Sequence, residues 1–463
     1  RVRSLKMRKF VRGLYRNLRV RIIRALLRLK RKAFFTVSLS EFRKTANCPS
    51  KMIRPASTFE VPGPHFVNSD APLESHQCKV TVRAPSLELI EFSRAAVMGG
   101  INLVFAGDKA VHADVVEPHR DMFLAEVEGI AKFVPESRKL YLPGPSLRPN
   151  SARKTLHFKE AITLLGDCSG NFAHWILEVL SKLVAIDDLE NYKSLPILVD
   201  GWVHPKFYES LAVLNSHYRP IYRLNRWQPA TVERLIFITP PSYVAAEDRQ
   251  FHFSGQPRPP SPDSFQFCAA ELIALRCKAV AAAQKFVVTG NYMRELPMIW
   301  SVEYADGLAA RVNNIPKPEL RYSDAKRVYL KRVAASAGNP RQMLGGDRVE
   351  SLLADFGFVA VDPAALSFVE QVMLLQNADC IVAPVGAALA NLVFAPPGRK
   401  VIALAPYYRD ADYYYFANLL GILGHKLYYI VGPQLDQPGI HRLHRDYMVD
   451  LQALKHTLQQ FFT

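Results

Sequence analysis

The sequence predicts an α/β protein made of two Rossmann-like halves that face a cleft, preceded by a basic amphipathic helix. Three observations lead there. Short apolar runs alternate regularly with helical patterns from Arg327 to the C-terminus, a weaker copy of that alternation runs from Ala161 to Thr239, and the first 32 residues are amphipathic and purely cationic. At 463 residues the chain exceeds one ordinary core of roughly 100 to 200 residues. The expected division is 1–35 for the basic helix, 36–310 for a first α/β domain and 311–463 for a second.

Residues 1–32 hold 14 Lys and Arg and no acid, so the net charge of +17 leaves the remainder almost neutral, with 45 bases against 42 acids. Met7, Val11, Leu14, Leu18, Ile22, Leu26 and Leu29 recur at helical spacing, and Arg12, Arg16, Arg19, Arg24 and Arg28 occupy much of the rest. Such a helix suits an anionic membrane surface, where each base contributes about 1 kcal/mol. An RNA-binding tail is the alternative, though phosphate contacts do not require an apolar stripe. No uninterrupted apolar segment follows the bases, which argues against a signal peptide.

The composition, 49% hydrophobic and 22% charged with no apolar run near the roughly 20 residues that span a bilayer, excludes a polytopic membrane protein and a wholly disordered chain. Six scattered cysteines without a CxxC pair fit reduced thiols in a cytosol. Residues 40–80, with Pro49, Pro55, Pro62, Pro64 and Pro72, read as an irregular connection, and Pro240–Phe267 as a long loop.

In the middle, Ala161–Leu165, Leu195–Val199 and Arg234–Thr239 read as strands, with helices over Asn171–Ala185 and His204–Leu214. Toward the end, strands are expected at Arg327–Leu330, Phe358–Val361, Cys380–Ala383, Lys400–Leu404 and Lys426–Ile430. Helices are expected at Asp347–Phe356, Ser367–Asn377, Ala387–Phe394 and Tyr413–Leu423. Five strands separated by helices imply a parallel, doubly wound sheet, whose ligands sit beyond the carboxyl ends of the strands. That rule gathers Lys331, Arg332, the Pro384–Ala388 loop and the Pro406–Arg409 loop around one crevice. A last helix, Tyr447–Phe461, has the option of packing back across the hinge.

Two stretches carry the candidate chemistry. In Gly166–Leu180 (GDCSGNFAHWILEVL), Asn171, His174 and Glu178 fall on one helix face; an imidazole one turn from a carboxylate is either a general-base pair or a satisfied core histidine. In Pro384–Gly398 (PVGAALANLVFAPPG), small residues at Gly386, Ala387 and Ala388 open a helix after a buried strand. They permit either backbone contact with a diphosphate or merely tight packing. Lys331 and Arg332 are phosphate ligands or solvated charges. Ser367 and Glu370 read as a capping box, whereas His441, His444 and Asp446 have metal-like spacing but read better as an exposed loop.

Together these stretches resemble glycosyltransferase family 61, over approximately Leu156 to Gly432. The resemblance rests on NFAHWILEVLSKL, on RVYLKR with GFVAVDPAALSFVEQVMLLQNADCIVAPVGAALANLVFAPPG, and on KVIAL, in that order. It implies a GT-B architecture with an acceptor-side first domain and a nucleotide-sugar-binding second domain, inversion at the anomeric carbon, a donor such as a UDP-sugar, and neither cofactor nor catalytic metal. The resemblance places Asn171, His174 and Glu178 on the family's N-x-x-H-x-x-x-acid helix, Arg332 on the arginine after the first C-terminal strand, and Gly386, Ala387, Leu389 and Asn391 on its glycine-rich turn. Val385 stands where the family commonly has His, and Gly345-Gly346 where it often has Asn-Glu.

The expected enzyme is therefore an inverting glycosyltransferase of surface polysaccharide or lipid-linked glycan, held at the inner face of the membrane by residues 1–32 and binding no nucleic acid. His174 and Glu178 act as base, and Asn171, Lys331, Arg332, Gly386, Ala387, Ala388 and Asn391 bind substrate. Rival readings are a non-catalytic glycan-assembly scaffold of the same fold and a nucleic-acid-binding protein that uses the basic tail.

Overall fold

The computed structural model describes residues 31–68, 78–113, 131–143, 155–166, 168–244, 265–289, 320–332, 341–408, 411–440 and 442–462. Residues 1–30 of the predicted basic helix lie outside them, and its expected end, residues 31–35, belongs instead to the strand Arg31–Ser38. Among the described residues no helix is long and apolar enough to cross a membrane. The fold is mixed α/β and is organised by two sheets.

The second sheet follows the expected grammar. Five parallel strands lie in the order Val359–Val361, Arg327–Leu330, Cys380–Pro384, Lys400–Tyr407 and Lys426–Pro433. Cys380–Pro384 is buried throughout, as a strand covered on both faces must be. Ser367 and Glu370 form the capping box: Glu370 N donates to Ser367 Oγ at 3.2 Å, and Ser367 N to Glu370 Oε2 at 2.8 Å. The strand order reverses between Arg327–Leu330 and Cys380–Pro384, so the crevice of an open α/β sheet opens between residues 331–332 and 385–388.

Among the described residues, eleven strands form the first sheet. Its parallel core runs Ile221–Leu224, Ile197–Asp200, Leu156–Thr163, Pro229–Ile238, and the long antiparallel strand Leu87–Met98 continues it. Ile162, Leu164, Ile197 and Ile236 pack against the helices. Ala161, Leu165, Leu198 and Phe237 turn to the opposite face, onto Phe92, Val97, Leu39 and Phe42. Helices thus cover one face of the parallel core, and the short helix Leu39–Thr45 packs on the other.

Several elements differ from expectation. The proline-rich connection contains the strands Ser50–Arg54, Ser57–Val61 and His65–Phe66, and the last of these joins the second sheet beside Lys426–Pro433. The long loop is pinned at its ends, where Ser242–Val244 pairs with Phe265–Phe267; residues 245–264 lie outside the description. Tyr447–Met448 is a short strand paired with Met343–Leu344, so the last helix begins at Leu451. That helix does not reach across a hinge: Leu454 and Leu458 pack beneath the second sheet with Tyr329, Val382 and Ile430.

The 21-residue helix Ala269–Thr289 joins the halves. It packs on Ser181–Asp187 and Pro205–Leu214 from one half and on Phe368–Asn377 and Ala387–Phe394 from the other, within one continuous apolar cluster. Polar contacts reinforce this seam. Phe368 N donates to Glu209 Oε1 at 2.8 Å, which satisfies an otherwise orphaned helix-end amide, and Lys206 Nζ donates to Leu366 O at 2.8 Å.

Candidate active site

The helix that carries His174 starts at the carboxyl end of Leu156–Thr163, where Asn171 caps it by accepting a 2.9 Å bond from Ala173 N. Asn171 is exposed and its side-chain oxygen is used by the cap. Instead of one regular helix, the segment has a π-helical stretch at Trp175–Leu180 before it resumes as Ser181–Asp187. Such widened turns recur at functional sites. Here Trp175, fully buried with Nε1 bonded to Ser210 Oγ at 2.9 Å, anchors the stretch.

His174 and Glu178 meet as the sequence predicts. Nδ1 lies 2.9 Å from Glu178 Oε1, with the imidazole side chain 14% exposed and the carboxylate side chain 8%. A carboxylate on Nδ1 fixes the tautomer with the proton there, which makes Nε2 the basic nitrogen. The Phe172–His174 segment packs directly on Ala387–Phe394, so the imidazole-bearing turn of one half abuts the helix that follows the glycine turn of the other.

At that turn the structure differs in detail from expectation, because Ala387–Phe394 is a 3-10 helix. Gly386 is extended, with φ 164°, so its backbone does not demand glycine. A Cβ there would stand 3.7 Å from Arg332 Nη1, which sets the Arg332 guanidinium over the turn. Burial of that guanidinium and then the nearby Arg341 charge push its pKa down. Ala387 and Ala388 are half-buried at the helix head. Asn391 is 1% exposed, and its Oδ1 meets no donor among the described residues. Lys331 forms an exposed ion pair with Glu350, 3.6 Å away. Gly345 adopts a left-handed conformation, φ 72°, ahead of Gly346–Asp355. Asp446 accepts bonds from Gln342 N at 2.6 Å and Gln437 Nε2 at 2.8 Å; His441 lies outside the described residues. Among those residues no group of three His, Cys, Asp or Glu is placed to hold a metal ion.

Two important side chains escaped the sequence reading. Asp200, at the end of the buried strand Ile197–Asp200, accepts from Gly100 N at 2.6 Å, Gly166 N at 3.1 Å and Ser169 Oγ at 2.6 Å. It thereby fixes the loop that leads into Asn171. Burial pushes its carboxyl up, against the opposing hydrogen bonds. An acid that closes an otherwise apolar strand, ILVD, was the available signal. The second is Arg341, 8% exposed, whose Nη2 donates to Val385 O at 2.6 Å; nothing local in the sequence marks it.

Trp202 seals the loop from outside. Arg226 lies 4.1 Å over its ring, and a Cβ on Gly170 would fall 2.4 Å from its Cζ3. Gly170→Ala must therefore displace either the indole or the start of the His174 helix. Misplacing catalytic groups by about 1 Å costs on the order of 10²-fold in rate, so with His174 as the base expected from the sequence, turnover is predicted to fall by about that much. Wild-type turnover in this variant would show that the loop does not set the position of His174.

The His174–Glu178 pair thus packs beside a turn that carries the Arg332 guanidinium. The family model Glycosyltransferase 61 matches residues 172–402, a span that starts on the His174 helix and takes in Arg332 and the Gly386 turn. The chain belongs to this family of glycosyltransferases, which take a sugar donor and an acceptor. No curated protein matches the chain.

Proposed function

We propose that the protein is an inverting glycosyltransferase that moves a sugar from a nucleotide-sugar donor, such as a UDP-sugar, to a hydroxyl of a surface polysaccharide or lipid-linked glycan. The observation that supports this reading is the packing of Phe172–His174 against Ala387–Phe394, which brings His174 beside the turn that we read as binding the anion. We read the two sheets as the acceptor and donor halves of a GT-B architecture.

In this reading His174 Nε2 takes the proton of the acceptor hydroxyl as its oxygen attacks the anomeric carbon, and Glu178 stabilises the imidazolium that forms. A single displacement inverts the centre. Arg332 and the amides at Gly386–Ala388 bind the departing diphosphate, with Lys331 adding positive potential one residue away. Asn171 and Asn391 shape the substrate site from either side. Fixed cationic groups then supply the charge neutralisation that Mg²⁺ supplies in metal-dependent transferases.

The test is turnover of a panel of nucleotide sugars, read as release of the nucleoside diphosphate with and without glycan acceptors. Complete inactivity across the panel would favour the non-catalytic scaffold. Residues 1–32 are proposed to hold the enzyme at the cytoplasmic face of the membrane; deleting them is expected to abolish sedimentation with phosphatidylserine vesicles. RNA binding lost on deletion, with vesicle binding untouched, would overturn the anchor.

A further inference from the structure

We infer that the folded body itself docks on an anionic lipid surface, through the outward face of the strands Arg31–Ser38, Lys139–Pro143 and Lys132–Val134. The inference rests on the membrane reading of residues 1–32 given above and extends it into the fold. Its observation is an exposed phenylalanine set in register with lysine at the place where the basic segment enters the first sheet.

These strands form one edge of that sheet, Arg31–Ser38 pairing with Lys139–Pro143 and the latter with Lys132–Val134. Alternate residues of a strand share a face. Phe34, Leu140 and Leu142 turn inward, into a buried cluster. On the other face, register sets Ala33 beside Tyr141 and Tyr141 beside Lys132, and it sets Phe35 beside Lys139 and Lys139 beside Val134. Phe35 is 45% exposed, and Ala33 and Lys132 are exposed with it. Lys139 holds its ammonium 5.2 Å over the Phe35 ring. A ring topped by a cation is an amphipathic unit suited to the boundary between lipid headgroups and acyl chains.

Charge and connectivity name the occupant. The three strands and the neighbouring Lys109–His112 carry Arg31, Lys32, Lys109, Lys132 and Lys139 and no acid. The first acid of the chain is Glu41, whose carboxylate Arg138 Nη2 meets at 2.5 Å. Of the 14 bases in residues 1–32, all but Arg31 and Lys32 precede this strand, and the apolar stripe from Met7 to Leu29 leads into it. An anionic bilayer uses both parts: its phosphates attract the lysines and its boundary region accepts the ring. Phosphate contacts alone use neither the stripe nor the exposed apolar face. In strand order the patch lies well away from Leu156–Thr163 and Ile197–Asp200, so docking there does not engage the strands that lead to His174.

Sedimentation of the full chain with mixed phosphatidylserine and phosphatidylcholine vesicles, over a series of NaCl concentrations, tests this. A base at an anionic surface contributes about fivefold in binding, so joint Lys132→Gln and Lys139→Gln substitution is expected to weaken vesicle binding by about 20-fold and to flatten its salt dependence. Phe35→Thr is expected to weaken it by about fivefold with the salt dependence unchanged. Phe35→Trp keeps an aromatic ring in place and gives a second reading, because brominated phosphatidylcholine should quench its added fluorescence beyond that of the wild type. Unchanged binding in the lysine and threonine variants, or no added quenching at position 35, would overturn the inference and leave residues 1–32 as the whole anchor. Two other results would overturn it as well. One is an altered oligomeric state in Phe35→Thr with vesicle binding intact, which would assign the face to a second copy of the chain; the other is RNA binding lost in the lysine variant with vesicle binding intact. Failure of the wild-type chain to bind vesicles would overturn both membrane readings.

Discussion

His174→Ala is expected to reduce sugar transfer by about 10²- to 10⁴-fold, the range contributed by a positioned general base, while binding of the nucleoside diphosphate persists. The reason is geometric. His174 reaches the site through one turn of helix capped by Asn171, and its Nδ1 is committed to Glu178 at 2.9 Å, which leaves Nε2 as the basic nitrogen. Glu178→Gln should fall in between, because an amide can still orient the ring but cannot stabilise an imidazolium. Initial rates with an active donor and acceptor, beside calorimetry with UDP, separate the two effects. A His174→Ala enzyme that retains its rate would move the base elsewhere, and one that loses UDP binding in proportion would make His174 a donor ligand instead.

Asp187→Ala is expected to have the largest effect on stability, about 3 to 5 kcal/mol, the range for breaking a buried ion pair by removing one partner. Asp187 is 1% exposed at the end of the helix that carries His174, and Arg219, with its side chain fully buried, donates to it at 2.6 Å. Ser216 Oγ donates at 2.5 Å and Lys278 completes the cluster from the helix Ala269–Thr289. Removing the carboxylate strands two cations and unties the helix that carries His174 from the helix that joins the halves. Burial alone would raise the Asp187 pKa, but hydrogen bonds from Lys278, Ser216 and Arg219 more than offset this and hold it below the ordinary aspartate value. A depressed folded-state pKa contributes stability that is fully present above the unfolded pKa, near 3.8, and is lost as pH falls through the lower folded value. The wild-type urea midpoint should therefore drop as the medium is acidified below that pH, and Asp187→Ala should lack this component. Equal midpoints for the two proteins at neutral pH would show that the cluster contributes nothing net.

The second half of the fold was legible because each of its strands is a short apolar run followed by an amphipathic helix, and local periodicity suffices to find both. Cys380–Pro384 and the capping box at Ser367 and Glu370 are of this kind. His174 and Glu178 were legible for the same reason, being one turn apart on one helix, a contact that survives the π-helical stretch. The first half was harder. Its antiparallel strands, such as Leu87–Met98 against Pro229–Ile238, pair across more than a hundred residues, and His65–Phe66 joins a sheet whose other strands begin at Arg327. No local pattern encodes such partners. Arg341 was hidden likewise: its role depends on Val385, Leu443 and Tyr447, each distant in sequence. The π-helical stretch has no compositional mark, since it depends on how Trp175 and its neighbours pack.

The account's central claim is that the Gly386 turn binds the diphosphate of a sugar donor, with His174 presented to it from the other half. An experimental structure of the full chain with UDP tests this most directly. The account predicts a diphosphate oxygen within about 3 Å, hydrogen-bond distance, of the Arg332 guanidinium and the Gly386 or Ala387 amide, with His174 Nε2 facing the space beside the terminal phosphate. A diphosphate bound elsewhere, or a His174 ring walled off from that space by protein, would contradict it.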